Sequence, residues 1–152
     1  MRRLAREIAV QTLYEVAQSD TTWQAALRSN VERRKGDAQA HAYAERLLTA
    51  VEARREEVEA RIAAALAHWS WERVALVDRC VLQVSTVELL AFPDVPVRVS
   101  LDEAVEIARK FSTEDSGGFV NGVLDRIARD VEPARQVGPT SESGRGSMEA
   151  DA

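Results

Sequence analysis

A chain of 152 residues, 45% apolar and 30% charged, is long enough for one domain with a real core. Its formal net charge of −5 excludes a generally basic nucleic-acid coat. No run approaches the ~20 apolar residues of a membrane span. The start Met1-Arg2-Arg3-Leu4 lacks the apolar block of a signal peptide, so a cytoplasmic protein is expected.

Ala, Leu, Arg and Glu abound, which favours helix, and no strand-like alternation persists. A first helix is predicted over Arg2–Gln18, with Ala5, Ile8, Ala9, Thr12, Leu13 and Val16 as its core stripe. Asp20 or Thr21 can cap a second helix, which runs to about Arg34. A long helical stretch from Ala38 to His68 exceeds the usual length and should break near Ala53–Glu56. Ser70 then caps a central helix over Trp71–Ala91, ended by Pro93 and Pro96, with Trp69 as a structural anchor beside the cap. Ser100 and Glu103 have capping-box spacing for a helix through about Ser112. A last helix spans about Gly118–Val131. Residues 133–152 lack apolar periodicity and read as a disordered tail, leaving a helical domain over residues 1–132. The expected architecture is all-α, with about seven helices.

Catalytic and metal chemistry finds little support. Cys80 is the only cysteine and lies in an apolar helical stripe, which suits buried filler. His41 and His68 are isolated, and no HxxxH, CxxC, GxGxxG, GxxxxGK[ST] or GxSxG pattern occurs. No metal ligand set or cofactor is expected. Glu114 and Asp115 are paired carboxylates without a nucleophile. Capping of the last helix is their plain reading, and a hydrolase is the weakest rival.

Three arginines, Arg2, Arg3 and Arg6, open the first helix. Positive charge there opposes the helix macrodipole, so the cluster is a poor choice for stability alone. Phosphates would reverse the sign of that interaction. Arg3, Arg6, Val10 and Tyr14 continue as a side stripe, which is either a mixed RNA and protein surface or a second buried side of the helix. In the last helix Val120, Val123, Leu124, Ile127 and Val131 make the core stripe. Phe119 and Asn121 flank it on opposite sides at ~100° per residue. Phe119 is either core or a platform for an unpaired base. Asn121 suits a base edge or a neighbouring helix end, and Gly122 most simply permits close helix approach.

The blocks RRLAREIAVQTLYE at 2–15, HWSWERVALVDRCVLQVSTVELL at 68–90 and PVRVSLDEAVEIARKFSTEDSGGFVNGVLDRIA at 96–128 resemble the NusB family of bacterial transcription antitermination factors. The resemblance covers roughly residues 2–131. It implies two small packed helical bundles and no enzymatic activity. It further implies binding to boxA, a single-stranded element of ribosomal RNA leader transcripts. It implies a heterodimer with the ribosomal protein NusE, and a place with other Nus factors on elongating RNA polymerase. By motif, Arg2, Arg3, Arg6, Lys110, Asp115, Phe119 and Asn121 fall to the RNA side. Val10, Tyr14 and Asp78 fall to the NusE side. The chain departs from the family where Gln83 stands for a frequent Arg and Val87 for an aromatic. The free protein would be a monomer or a homodimer. The rival from another class is a NusB-like protein-interaction module without RNA affinity.

Overall fold

The structure, a computed structural model, describes residues 2–67 and 69–136. Seven α-helices account for most of them: α1 (Arg2–Gln18), α2 (Trp23–Arg33), α3 (Ala38–Ala53), α4 (Arg55–Ala65), α5 (Leu76–Ala91), α6 (Val97–Phe111) and α7 (Ser116–Gln136). A 3-10 turn at Trp71–Arg73 precedes α5, and no strand occurs among the described residues. In one bundle α1 packs on α2 and α3. In the other α5 packs on α4, α6 and α7. The two meet where α1 and α3 lie against α5. That placement makes α5 the central helix, as its apolar sequence suggests: Val81, Leu82, Val87 and Leu89 are fully buried.

Local chemistry sets the helix ends, in several places at one remove from the expected residue. Thr22, rather than Asp20 or Thr21, caps α2, its hydroxyl accepting from the Ala25 N–H at 3.1 Å. Asp37 caps α3 the same way through the Ala40 N–H at 2.9 Å. The break between α3 and α4 falls at Arg54, within the expected interval. The central helix starts at Leu76, not Trp71, because Val74 and Ala75 hold extended backbone after the 3-10 turn. Ser70 precedes that turn but makes no side-chain cap. Pro96 already starts α6, so Ser100 sits inside the helix and is no cap. Its partner in the supposed capping box, Glu103, is taken by Arg3 instead. The last helix starts at Ser116 and runs through Pro133 to Gln136, beyond its expected end. Glu114 and Asp115 precede it, but no side-chain bond from either caps it among the described residues. The expected disordered stretch lies outside the described residues from 137 onward, as does His68.

A buried carboxylate ties four helices together. Glu88 on α5 is 1% exposed. It accepts Arg6 Nε from α1 at 2.9 and 3.1 Å, the Tyr43 hydroxyl from α3, and the Ser100 hydroxyl from α6 at 2.7 Å. Burial and the adjoining Glu88 charge push the Tyr43 phenol well above its ordinary range. Arg6 is therefore an interior residue. The same holds for Val10 at 3% exposure and for Glu7, which takes Arg34 Nη2 at 2.6 Å and Lys110 Nζ at 3.2 Å. Helix α1 is thus buried on two sides. Cys80 is buried as expected, and burial pushes its thiol up to about 12.

Close helix approach in α7 falls to Gly117 and not to Gly122, where it was expected. A Cβ at Gly122 would meet nothing within 4 Å, so close packing does not explain this residue. A Cβ at Gly117 would lie 2.9 Å from Arg109 Nε and 3.3 Å from Val105 Cγ1, so Gly117 is where α6 and α7 come close.

Each of these features has a measurable consequence. Glu88→Gln, which leaves Arg6 buried without its counter-charge, should cost about 3 kcal/mol in urea unfolding. Tyr43→Phe, which removes one charge-assisted bond, should cost about 1–2 kcal/mol. Gly122→Ala should stabilise by about 0.5–1 kcal/mol through helix propensity, while Gly117→Ala should give no such gain. Glu103 is held below the usual carboxylate range, first by its hydrogen bonds from Arg3. Its folded-state value is lower than the unfolded one. Its contribution is therefore present above the ordinary carboxylate pKa and is lost as pH falls through the lowered value. Glu103→Gln should flatten the acid limb of a stability–pH curve while leaving its neutral and alkaline parts parallel to wild type.

Candidate nucleic-acid interface

The start of α1, the end of α6 and the start of α7 converge on one side of the second bundle. A cleft of about 640 Å³ there is lined by Arg3, Glu103, Arg109, Gly117, Gly118 and Asn121, among others. Of the N-terminal arginines, Arg3 therefore shares a surface with the last helix. Arg3 supplies its exposed cation, positioned by Nε and Nη2 bonds to both oxygens of Glu103 at 2.7 and 2.9 Å. Arg6 stands behind them, its Nη1 at 3.9 Å from Glu103. Buried against Glu88, Arg6 is removed from the set of direct contacts and supports the pair from within. Arg109 lies over Gly117 with a loose, exposed partner in Glu106 at 3.6 Å.

At Gly118 this cleft meets an aromatic one. Trp69, Phe119, Gly122 and Arg126 line a second recess of about 200 Å³, which shares Gly118 with the first. Trp69 and Phe119 pack edge to face, 6.0 Å between centroids at 67°. Trp69, expected as a structural anchor, packs on Phe119 but is itself 53% exposed. Phe119 is half-buried, with one side on the core and the other on the recess. The open Cβ space at Gly118 and Gly122 leaves room beside these rings. One exposed and one half-buried ring next to backbone and guanidinium groups suit stacking of an unpaired base beside a phosphate.

The remaining expected contacts divide. Lys110 has an exposed stem, but its ammonium is held by Glu7. Asp115 is exposed and joins Trp69, Phe119 and Asp78 around a further recess of about 440 Å³. Asp78 is 6% exposed, and its Oδ2 accepts the Ser116 hydroxyl at 3.1 Å. Its Oδ1 has no hydrogen-bond partner among the described residues. Val10 and Tyr14 lie elsewhere, in an apolar groove of about 630 Å³ with Val77 and Phe111. Tyr14 is 37% exposed there. The interface thus has an RNA-suited side around Arg3, Asn121 and Phe119 and an apolar side around Tyr14.

Sequence reasoning missed Arg109 and Trp69. Arg109 and Lys110 are adjacent, and only the fold shows which of the two faces the cleft and which bends back to Glu7. Trp69 precedes a turn whose exposure no periodicity encodes. No group of three or more His, Cys, Asp or Glu able to hold a metal occurs among the described residues.

The sequence profile of the NusB family matches residues 3–129. The transcription antitermination protein NusB of Citrifermentans bemidjiense is 38% identical over 138 residues, covering 86% of this chain and 95% of its own. That of Salinibacter ruber is 38% identical over 151 residues, covering 99% and 92%. Among solved structures, T. maritima NusB superposes with a TM-score of 0.79 at 35% identity, covering 86% of this chain and 92% of that one. The antitermination factors NusB and NusE in complex with dsRNA include a chain with a TM-score of 0.78 at 25% identity, covering 85% and 96%. The chain belongs to the NusB family of transcription antitermination proteins.

Proposed function

We propose that this chain binds the boxA element of ribosomal RNA leader transcripts, together with NusE, and so acts in antitermination on elongating RNA polymerase with other Nus factors. The observation that carries the reading is the joining of Arg3 and Asn121 in one cleft, continuous at Gly118 with the Trp69–Phe119 pair. Cations at Arg2, Arg3 and Arg109 attract phosphates. Phe119 and Trp69 offer rings to unpaired bases, and Asn121 offers a base-edge donor and acceptor. Asp115 borders the aromatic side, and Lys110, its ammonium paired with Glu7, contributes only to the local potential. Arg6 works by positioning Glu103 and Arg3.

NusE would dock on the apolar side. Tyr14, Val77 and Phe111 offer it apolar area, with the buried Val10 beneath them. Asp78 does not join this side: it is buried beside the Trp69–Asp115 recess, where its Oδ2 holds Ser116. The relative solved with NusE and dsRNA supports a joint protein and RNA complex in this family. On this reading the chain is a cytoplasmic factor whose RNA and protein contacts reinforce each other.

A second reading has its own observation. Asp102, Glu103 and Glu106 also line the Arg3 cleft, and the chain is acidic as a whole. Those carboxylates favour a protein-interaction module without RNA affinity.

Fluorescence anisotropy with boxA RNA and a scrambled RNA, with and without NusE, across a salt series separates the two. The expected result is a preference for boxA, an affinity that falls as salt rises, and a gain with NusE. Equal binding to both RNAs, or none even with NusE, overturns the RNA reading. Phe119→Ala should weaken boxA binding by about 1–3 kcal/mol, the worth of one stacked base. Arg3→Ala should lower the salt slope with the fold intact, whereas Arg6→Ala should first cost stability.

A further inference from the structure

Around the other side of α1's first turn, a recess of about 280 Å³ is lined by Arg2, Gln39, Ala42, Tyr43 and Arg46. Arg2 lies over the Tyr43 ring at 4.5 Å. Arg46 on α3 lies 5.5 Å from the same ring and 4.5 Å from the Phe92 ring. Three guanidinium groups thus gather round one ring, Arg6 being the third at 5.7 Å; Glu88 neutralises Arg6, while Arg2 and Arg46 repel each other in the absence of an anion. The turn beside them holds another: Arg135 Nη2 donates to the carbonyls of Phe92, Pro93 and Val95, and its buried Nη1 has no partner among the described residues. The exposed carboxylate among these groups is Asp94, a long 3.4 Å from Arg2. The buried carboxylate beneath Tyr43, that of Glu88, is already occupied by Arg6, Tyr43 and Ser100. Arg46 itself makes no ion pair among the described residues.

In an acidic chain, cations gathered with so little counter-charge mark a place for a polyanion. Stacking on two rings also fixes the Arg46 guanidinium in advance, so little rotamer entropy remains to be lost on binding a phosphate. We infer that Arg2 and Arg46 form a phosphodiester-binding site which extends the RNA track from the Arg3 cleft, across the start of α1, onto α3. This inference rests on the RNA reading above and adds to it a residue on a helix outside the Arg3 and Phe119 clefts. Its readout is an extra phosphate contact with no base preference.

The test is the salt dependence of boxA RNA binding by the full chain with NusE, for wild type, Arg46→Gln, Arg46→Lys and Arg55→Gln. Arg55, exposed at the start of α4, serves as the control cation. Arg46→Gln should weaken binding several-fold at low salt and lower the slope of log K against log salt by about 0.7, the value for one phosphate of a single strand. Arg46→Lys should keep the slope, and Arg55→Gln should match wild type. Shortening the RNA from one end, and not from the other, should abolish the difference between Arg46→Gln and wild type. A merely structural role for Arg46 would weaken every RNA alike. An unchanged slope in Arg46→Gln, or an equal loss in Arg55→Gln, overturns the site while wild-type binding stands. Absence of boxA binding by wild type overturns the RNA reading and the site together.

Discussion

Everything in this molecule is arranged around the carboxylate of Glu88. A charge that deep in the core is tolerated only when donors meet it, since removing it from water costs several kcal/mol. The donors come from three other helices: Arg6 on α1, Tyr43 on α3 and Ser100 on α6. One pair of oxygens can accept them together in one relative placement of the four helices. This single requirement explains why Arg6 turns inward, why Ser100 is spent on the interior instead of a helix cap, and why the Tyr43 ring stands at the junction of the two bundles.

The surface chemistry follows from that junction. Tyr43, fixed by Glu88, is the ring on which Arg2 and Arg46 rest. Arg6, fixed by the same carboxylate, backs Glu103, which in turn holds Arg3. The conflict between three N-terminal arginines and the helix dipole is offset by Glu88, Glu103 and Asp94, each on a different part of the chain. A protein of net charge −5 can then present positive potential locally, because the carboxylates at the start of α1 are committed to particular partners. Arg3, Arg109, Arg46 and Arg2 differ mainly in how firmly an acid holds them, and that ranking governs which of them a phosphate can take.

Recognition on the aromatic side depends on space as much as on rings. Gly118 and Gly122 leave open ground beside Phe119 and Trp69, while Gly117 permits the contact of α6 with α7 that sets the cleft's wall. A glycine can thus serve packing or vacancy, and neighbouring positions of one helix use it for each.

The all-helical class, the extent of α1, the break at Arg54, the burial of Cys80 and the core stripe of the last helix were legible in the sequence. Each depends on local propensity or on periodicity within one segment. The family resemblance rested on linear blocks and needed no fold. Other properties depended on residues far apart in the chain: the inward turn of Arg6, the loss of the Ser100 cap, the exposure of Trp69, the different fates of Arg109 and Lys110, and the fall of the close helix contact to Gly117 instead of Gly122. A single helix shows its polar and apolar faces, but a charged or small residue on its flank acquires its role from the neighbour that packs there. The sequence by itself determined which helices form and which stripe each one buries. Only the tertiary structure decided which arginines are satisfied inside and which remain free for a partner, because ion pairs between helices form only once the helices are packed.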